Sequence, residues 1–247
     1  MSAPPDTVRI AMWSGPRNVS TALMRSFENR PDTIVVDEPL YACYLDATGY
    51  EHPAREEILA AQPTTVAGVA RDLLGPLPDG KRVYYQKHMT HHLLPEMERD
   101  WLDSLSCAFL IRDPGEVITS YRKILERPDA LALGYPQSTE LVEREKARTG
   151  VTPPIVDAKD LLENPAGMLA ALCAHFGIEF DERMLSWPPG ERDSDGVWAP
   201  HWYSNVVQTT GFAEWAPRAI DVPAEFAAVH AECQEHYDAL YAQRLTV

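Results

Sequence analysis

Residues 8 to 27 read Val8-Arg9-Ile10-Ala11-Met12-Trp13-Ser14-Gly15-Pro16-Arg17-Asn18-Val19-Ser20-Thr21-Ala22-Leu23-Met24-Arg25-Ser26-Phe27. Val8, Ile10, Ala11 and Met12 form a short apolar run suited to a buried parallel strand. Gly15 and Pro16 interrupt it, and Leu23 and Phe27 then recur at helical spacing. The stretch predicts a strand, a tight polar loop and the start of a helix. Such a loop presents unpaired N–H groups and the positive end of the helix dipole, which together suit an anion. Arg17, Ser20 and Thr21 add a cation and two hydroxyls. A nucleoside triphosphate loop would need Gly, four residues, then Gly-Lys-Ser/Thr; counted from Gly15, this chain offers Ser20-Thr21-Ala22. The Lys for the outer phosphates and the hydroxyl for magnesium are missing, which argues against a P-loop kinase.

The segment Pro16-Arg17-Asn18-Val19-Ser20-Thr21 resembles the 5′-phosphosulfate loop of sulfotransferases, Pro-Lys/Arg-Ser-Gly-Thr-Thr, with Val19 in place of the usual Gly. Three further stretches follow in that family's order. Thr33 to Val36 reads as a strand that stops at Asp37 and Glu38, and Glu38-Pro39-Leu40 is similar to a strand end at which a Glu serves as general base. Asp37 is expected as a turn residue. The strand Arg82 to Gln86 ends in Lys87-His88-Met89-Thr90-His91-His92-Leu93-Leu94-Pro95, which resembles the family's Lys-Thr-His-Leu-Pro, although the catalytic His of that pattern falls on Met89. Finally Arg112-Asp113-Pro114 with Ser120 eight residues after the Arg resembles the 3′-phosphate motif.

What the resemblance implies is a P-loop NTPase-like α/β fold, a three-layer sandwich around a central parallel sheet. The implied donor is 3′-phosphoadenosine-5′-phosphosulfate, with adenosine 3′,5′-bisphosphate as product and no metal. Pro16, Arg17, Asn18, Val19, Ser20 and Thr21 would hold the 5′ end, and Arg112 and Ser120 the 3′-phosphate. Glu38 would be the base, with His91 as the fallback, His88 also within consideration, and Lys87 and Arg17 assisting. Three histidines within five residues suggest a metal, but zinc motifs bring a second pair of ligands and none stands nearby. Two rivals stay open: a kinase, and a sulfotransferase-like module that binds nucleotide without transfer, motivated by Val19 and Met89.

The rest of the chain supplies scaffold. A helix is expected over Arg55 to Leu74, broken by Pro63, and another over Pro95 to Asp103. A strand is expected at Ala108 to Ile111, with Asp113 capping the helix behind it. An exposed charged helix lies within residues 126 to 150, a short strand at Pro153 to Asp157, and a helix from Asp160 to Phe176 ended by Gly177. Tyr41, Tyr44 and Tyr50 are candidate walls of an acceptor pocket. Residues 186 to 217, rich in Pro, Gly and Trp, read as a lid loop in which Arg192, His201 and Trp202 are candidate contacts. An amphipathic helix over Pro223 to Leu245 closes the fold.

The chain has 247 residues, enough for one α/β domain over 1–247, and no apolar run approaches a membrane span. Cys43, Cys107, Cys173 and Cys233 are scattered, as expected of reduced thiols in a cytoplasmic protein. A formal net charge of −15 repels nucleic acid, anionic membranes and polyanionic glycans. An anionic cofactor then needs a local basic patch, effective because screening removes most of the long-range field beyond roughly 8 Å. The expected acceptor is small, and neutral or cationic; the charge does not specify an oligomer.

Overall fold

The computed structural model describes residues 7–121, 129–217 and 219–247. Alternation along the first strand, β1 (Val8–Ser14), sends Ile10 and Met12 to one face of the sheet and Ala11 and Trp13 to the other, all fully buried. A strand buried on both faces needs helices on both, and the chain provides them. After β1 come α1 (Ser20–Glu28), β2 (Thr33–Asp37), α2 (Tyr41–Thr48), α3 (Arg55–Ala61), α4 (Val66–Leu74) and β3 (Val83–Met89). Then follow β4 (Ser106–Ile111), α5 (Pro114–Tyr121), α6 (Ala130–Leu133), α7 (Tyr135–Thr149) and β5 (Ile155–Asp157). The last elements are α8 (Ala158–Glu163), α9 (Pro165–His175), α10 (Ala199–Trp202) and α11 (Ala227–Tyr241).

The five strands are parallel in the order β2-β3-β1-β4-β5. One face packs Leu23, Met24 and Phe27 of α1 with Leu161, Leu169 and Leu172 of α8 and α9. The opposite face packs Val69, Leu73, Leu141, Val142 and Leu240 from α4, α7 and α11. This is the three-layer α/β sandwich expected. The register aligns Asp37 with Lys87 and brings Ser14 level with Met89 and Leu110, so the carboxyl ends of the strands form one rim. Ligands of open parallel sheets gather at such a rim, where successive crossovers leave in opposite directions.

Several boundaries differ from expectation. Pro63 divides the 55–74 stretch into α3 and α4, with Thr65 capping α4 through the Gly68 N–H. Over Pro95 to Asp103 no α-helix forms; only a 3-10 turn at Asp100–Ser104 does, because few apolar residues recur there and Trp101 and Leu102 anchor it instead. Residues 158 to 175 split at Asn164, whose side chain caps α9 ahead of Pro165. The last helix begins at Ala227 after a 3-10 turn. Residues 126–128 of the charged stretch lie outside the described residues.

Candidate active site

The loop after β1 runs through Arg17 in the left-handed region, φ 58°. A non-glycine residue there is strained and must be held. Arg112 holds it: its Nη1 donates to the Arg17 carbonyl at 2.9 Å. In return Arg17 Nε donates to Ser120 Oγ at 3.1 Å, so the two basic turns and α5 meet in one place. Val19 has φ −86°, so a side chain is accommodated at this position; the sharp bend falls on Arg17 instead. Asn18 braces the loop, donating from Nδ2 to the Leu110 carbonyl and accepting from the Val19 N–H, both at 2.9 Å.

The N-terminus of α1 has no side-chain cap. Ser20 is buried and Thr21 half-buried at its opening turn. Among the described residues no carboxylate pairs with Arg17, and burial followed by the Arg112 guanidinium disfavours its charge. An anion would relieve both. Arg112 itself is forked onto Glu116, Nε at 2.8 Å and Nη2 at 2.6 Å. Beside it opens a cleft of about 320 Å³ lined by Arg112, Glu116, Asp157, Lys159, Trp215 and Tyr237, with the Lys159 ammonium 4.7 Å above the Trp215 ring.

On the other side of β1, the ends of β2 and β3 build a buried charge cluster. Lys87 Nζ donates to Asp37 Oδ1 at 2.7 Å, Glu38 Oε1 at 2.6 Å and Tyr203 Oη at 2.9 Å. Tyr203 donates to Asp37 Oδ2 at 2.5 Å. Glu38 is strained as well, φ 41°, and its N–H is pinned by the Lys87 carbonyl at 2.8 Å. Burial raises its carboxyl above the ordinary range; Lys87 opposes this shift and Asp37 adds to it. Next to Glu38, His92 is stacked between Tyr41 and Tyr44 at 4.5 and 4.8 Å, and its Nδ1 lies 3.9 Å from Glu38 Oε2.

A strand-loop-helix anion cradle, a second arginine turn bonded to it, and a buried carboxylate across the central strand form one rim. The sequence profile of the sulfotransferase domain matches residues 8–239. The chain belongs to the sulfotransferase family. A sulfotransferase domain from the curacin biosynthetic pathway superposes over 97% of this chain and 99% of that one, with 15% identity and a TM-score of 0.59. The sulfotransferase from Alicyclobacillus acidocaldarius does so over 99% and 98%, with 13% identity and a TM-score of 0.57. Two Arabidopsis thaliana proteins, branched-chain-amino-acid aminotransferase-like proteins 1 and 2, are 35% and 34% identical over 94% of this chain. The chain spans only 40% of the length of each.

This sulfotransferase departs from the sequence reading at several residues. Arg192 does not face the loop after β1: its Nη1 pairs with Glu28 at 3.0 Å, at the far end of α1, about 12 Å along the helix axis from Ser20. Asn18 turns inward as a brace. Asp37 is not a turn residue but the buried end of β2, and Lys87 is fully buried. His88 stacks on Trp13 at 4.3 Å inside the core and its imidazole is pushed down to about 3 by burial, so it reaches no ligand. His91 is likewise pushed down to about 3, chiefly by burial, and stands edge-on to Tyr44. His92, rather than His91, is the histidine that approaches Glu38. Among the described residues no group of three or more His, Cys, Asp or Glu side chains is placed to hold a metal ion. Tyr50 is 57% exposed, outside the wall that Tyr41 and Tyr44 form. Tyr203 was not foreseen: it sits in an irregular stretch with no periodicity to single it out.

Proposed function

We propose that this sulfotransferase takes its sulfuryl group from 3′-phosphoadenosine-5′-phosphosulfate and passes it to a hydroxyl or amine of a small acceptor. The observation that carries this reading is the linkage of the Arg17 and Arg112 turns through the Arg17 carbonyl and Ser120. Two guanidinium groups and an uncapped helix N-terminus lie together, which suits the two phosphates of a doubly phosphorylated nucleoside, and the cleft of about 320 Å³ opens at Arg112 without touching residues 15–21. When bound, that nucleotide supplies an activated sulfuryl group with a phosphate as its leaving group.

The chain's own residues divide the work. Arg17 and the backbone donors over residues 17–21 hold the 5′ end, and their fixed dipoles stabilise charge that develops on the departing phosphate oxygen. Arg112 and Ser120 hold the 3′-phosphate. Glu38 takes the acceptor's proton at Oε2, which accepts no hydrogen bond among the described residues; the O–H or N–H electron pair stays on the attacking atom. Lys87 fixes the other oxygen, Oε1, and so aims the carboxylate. Tyr41, Tyr44 and His92 form a wall without cationic groups, since His92 is held neutral by burial and its neighbouring histidines. That wall and the acidic body support a neutral or cationic acceptor over a polyanion, and weigh against nucleic acid and anionic membranes as partners. The whole chain is read as one catalytic unit roofed by residues 186–217, and the four buried free thiols support a cytoplasmic setting.

Calorimetry with adenosine 3′,5′-bisphosphate, followed by radiolabelled sulfuryl transfer to a panel of small alcohols and amines, tests the proposal. Met89, 7% exposed where the family pattern carries its catalytic His, motivates one other reading, a nucleotide-binding module without chemistry. Tight binding of the bisphosphate with no transfer to any of the panel would select that alternative.

A further inference from the structure

The cluster at the ends of β2 and β3 contains two carboxylates and one ammonium, and its hydrogen bonds are distributed unequally. Asp37 is saturated: Oδ1 accepts from Lys87, and Oδ2 accepts from Tyr203 at 2.5 Å and from the Gly196 N–H at 3.4 Å. Lys87 spends all three N–H bonds on Asp37, Glu38 and Tyr203. Tyr203 is tied in turn by the Trp198 Nε1–H at 3.4 Å. Glu38 alone keeps an oxygen, Oε2, without a hydrogen bond among the described residues. We propose that Asp37 and Tyr203 are positioning residues: they take up the Lys87 charge, leave the cluster's unpaired negative charge on Glu38, and so direct an incoming proton to Glu38 Oε2. This rests on the reading of Glu38 as the base.

The groups facing Glu38 are few enough to name. Lys87 comes from β3, Asp37 from β2, His92 from the turn after β3, Tyr203 from the 186–217 segment, Tyr41 from α2 and Tyr121 from α5, with Arg17 beside Tyr121. The histidine and the tyrosines are neutral near pH 7, so the balance lies between Lys87, which favours the carboxylate, and Asp37, which disfavours it. Without Asp37, Lys87 would belong to Glu38 alone and the base would weaken. Tyr203 supports the same arrangement by keeping Asp37 ionised. Removing its hydroxyl strips Asp37 of its shortest hydrogen bond, and Asp37 then competes for the proton.

Difference infrared titration of the full chain, with and without adenosine 3′,5′-bisphosphate, reads the carboxyl directly and needs no acceptor. A carboxyl band titrating above the ordinary Glu range is expected in the parent and should vanish in Glu38→Gln. Asp37→Asn should move its midpoint down by about one pH unit or more. Tyr203→Phe, which removes only a hydroxyl and serves if Asp37→Asn fails to fold, should raise the midpoint of the coupled pair. A band that survives Glu38→Gln, or a midpoint that both other variants leave in place, overturns the assignment. Sulfuryl transfer by Glu38→Gln at the parent rate would instead remove Glu38 as the base while the infrared shifts stand, so the two failures are distinguishable.

Discussion

Arg17 and Glu38 are both bent into the left-handed region and both pinned by a neighbour across the rim, Arg112 for one and the Lys87 carbonyl for the other. Strain of this kind persists only where the surroundings over-determine it, and here hydrogen bonds to the Arg17 carbonyl and from the Glu38 N–H hold it. A charge-assisted hydrogen bond contributes about 1.5–3 kcal/mol, so Arg112→Ala should weaken adenosine 3′,5′-bisphosphate binding by about one to two decades in calorimetry. Glu38→Gln should leave that affinity in place and lower kcat by about two to four decades, the range of a general base. Loss of affinity without loss of turnover in Glu38→Gln would reverse the assigned roles. The positions of Arg17, Arg112, Ser120, Glu38 and Lys87 were legible, Arg17 in the loop after β1, Glu38, Lys87 and Arg112 at or just beyond strand ends, and Ser120 two turns into the next helix, because spacing reveals such places. Tyr203 and Glu116 were not, since their partners are supplied by folding alone.

Between elements, the turn after β1 is wedged by the junction of α6 and α7. Gly134 has φ 79°, and a Cβ there would run into Thr90 Oγ1, whose hydroxyl donates to the Gly134 carbonyl at 3.0 Å. Gly134→Ala should therefore destabilise the fold by about 2 kcal/mol, a drop in Tm of about 4–8 °C in calorimetric scans. The segment over residues 186–217 is bolted down rather than loose: Arg25, wholly buried, pairs with Asp195 at 2.9 Å and donates to the Gly190 carbonyl at 2.8 Å. Asp195→Asn leaves a buried guanidinium without its counter-charge and should cost about 3 kcal/mol in a denaturant titration. The parallel sheet and its helices followed from apolar runs and their punctuation. The anchoring of this segment did not, because Arg25 lies on a helix face that reads as an ordinary polar position until Asp195 arrives from 170 residues away.

Across the molecule, acid should loosen the fold before its carboxylates titrate. His88 and His91 are held near 3 by burial, against an ordinary value of 6.5, and His92 also lies well below it. The unfolded chain then binds more protons than the folded one as pH falls through about 6.5, so stability is present above that pH and drains away below it. His88 and His91 each contribute on the order of 5 kcal/mol over the full span, and urea midpoints measured between about pH 7 and pH 5 should decline steadily. Glu38, Asp157 and Asp195, raised by burial, oppose this trend as they approach their own range. His88→Phe, which keeps a ring against Trp13, should flatten the slope. Charge and composition located the histidines but gave no hint that the core would engulf them.

The strand order puts β1 at the centre, with the Arg112 turn reached through β4 on one side and the Glu38–Lys87 cluster reached through β3 and β2 on the other. The two clusters therefore hang from different strands of one rigid sheet, so that a substitution in either flank can be made without touching the hydrogen bonds that hold the other.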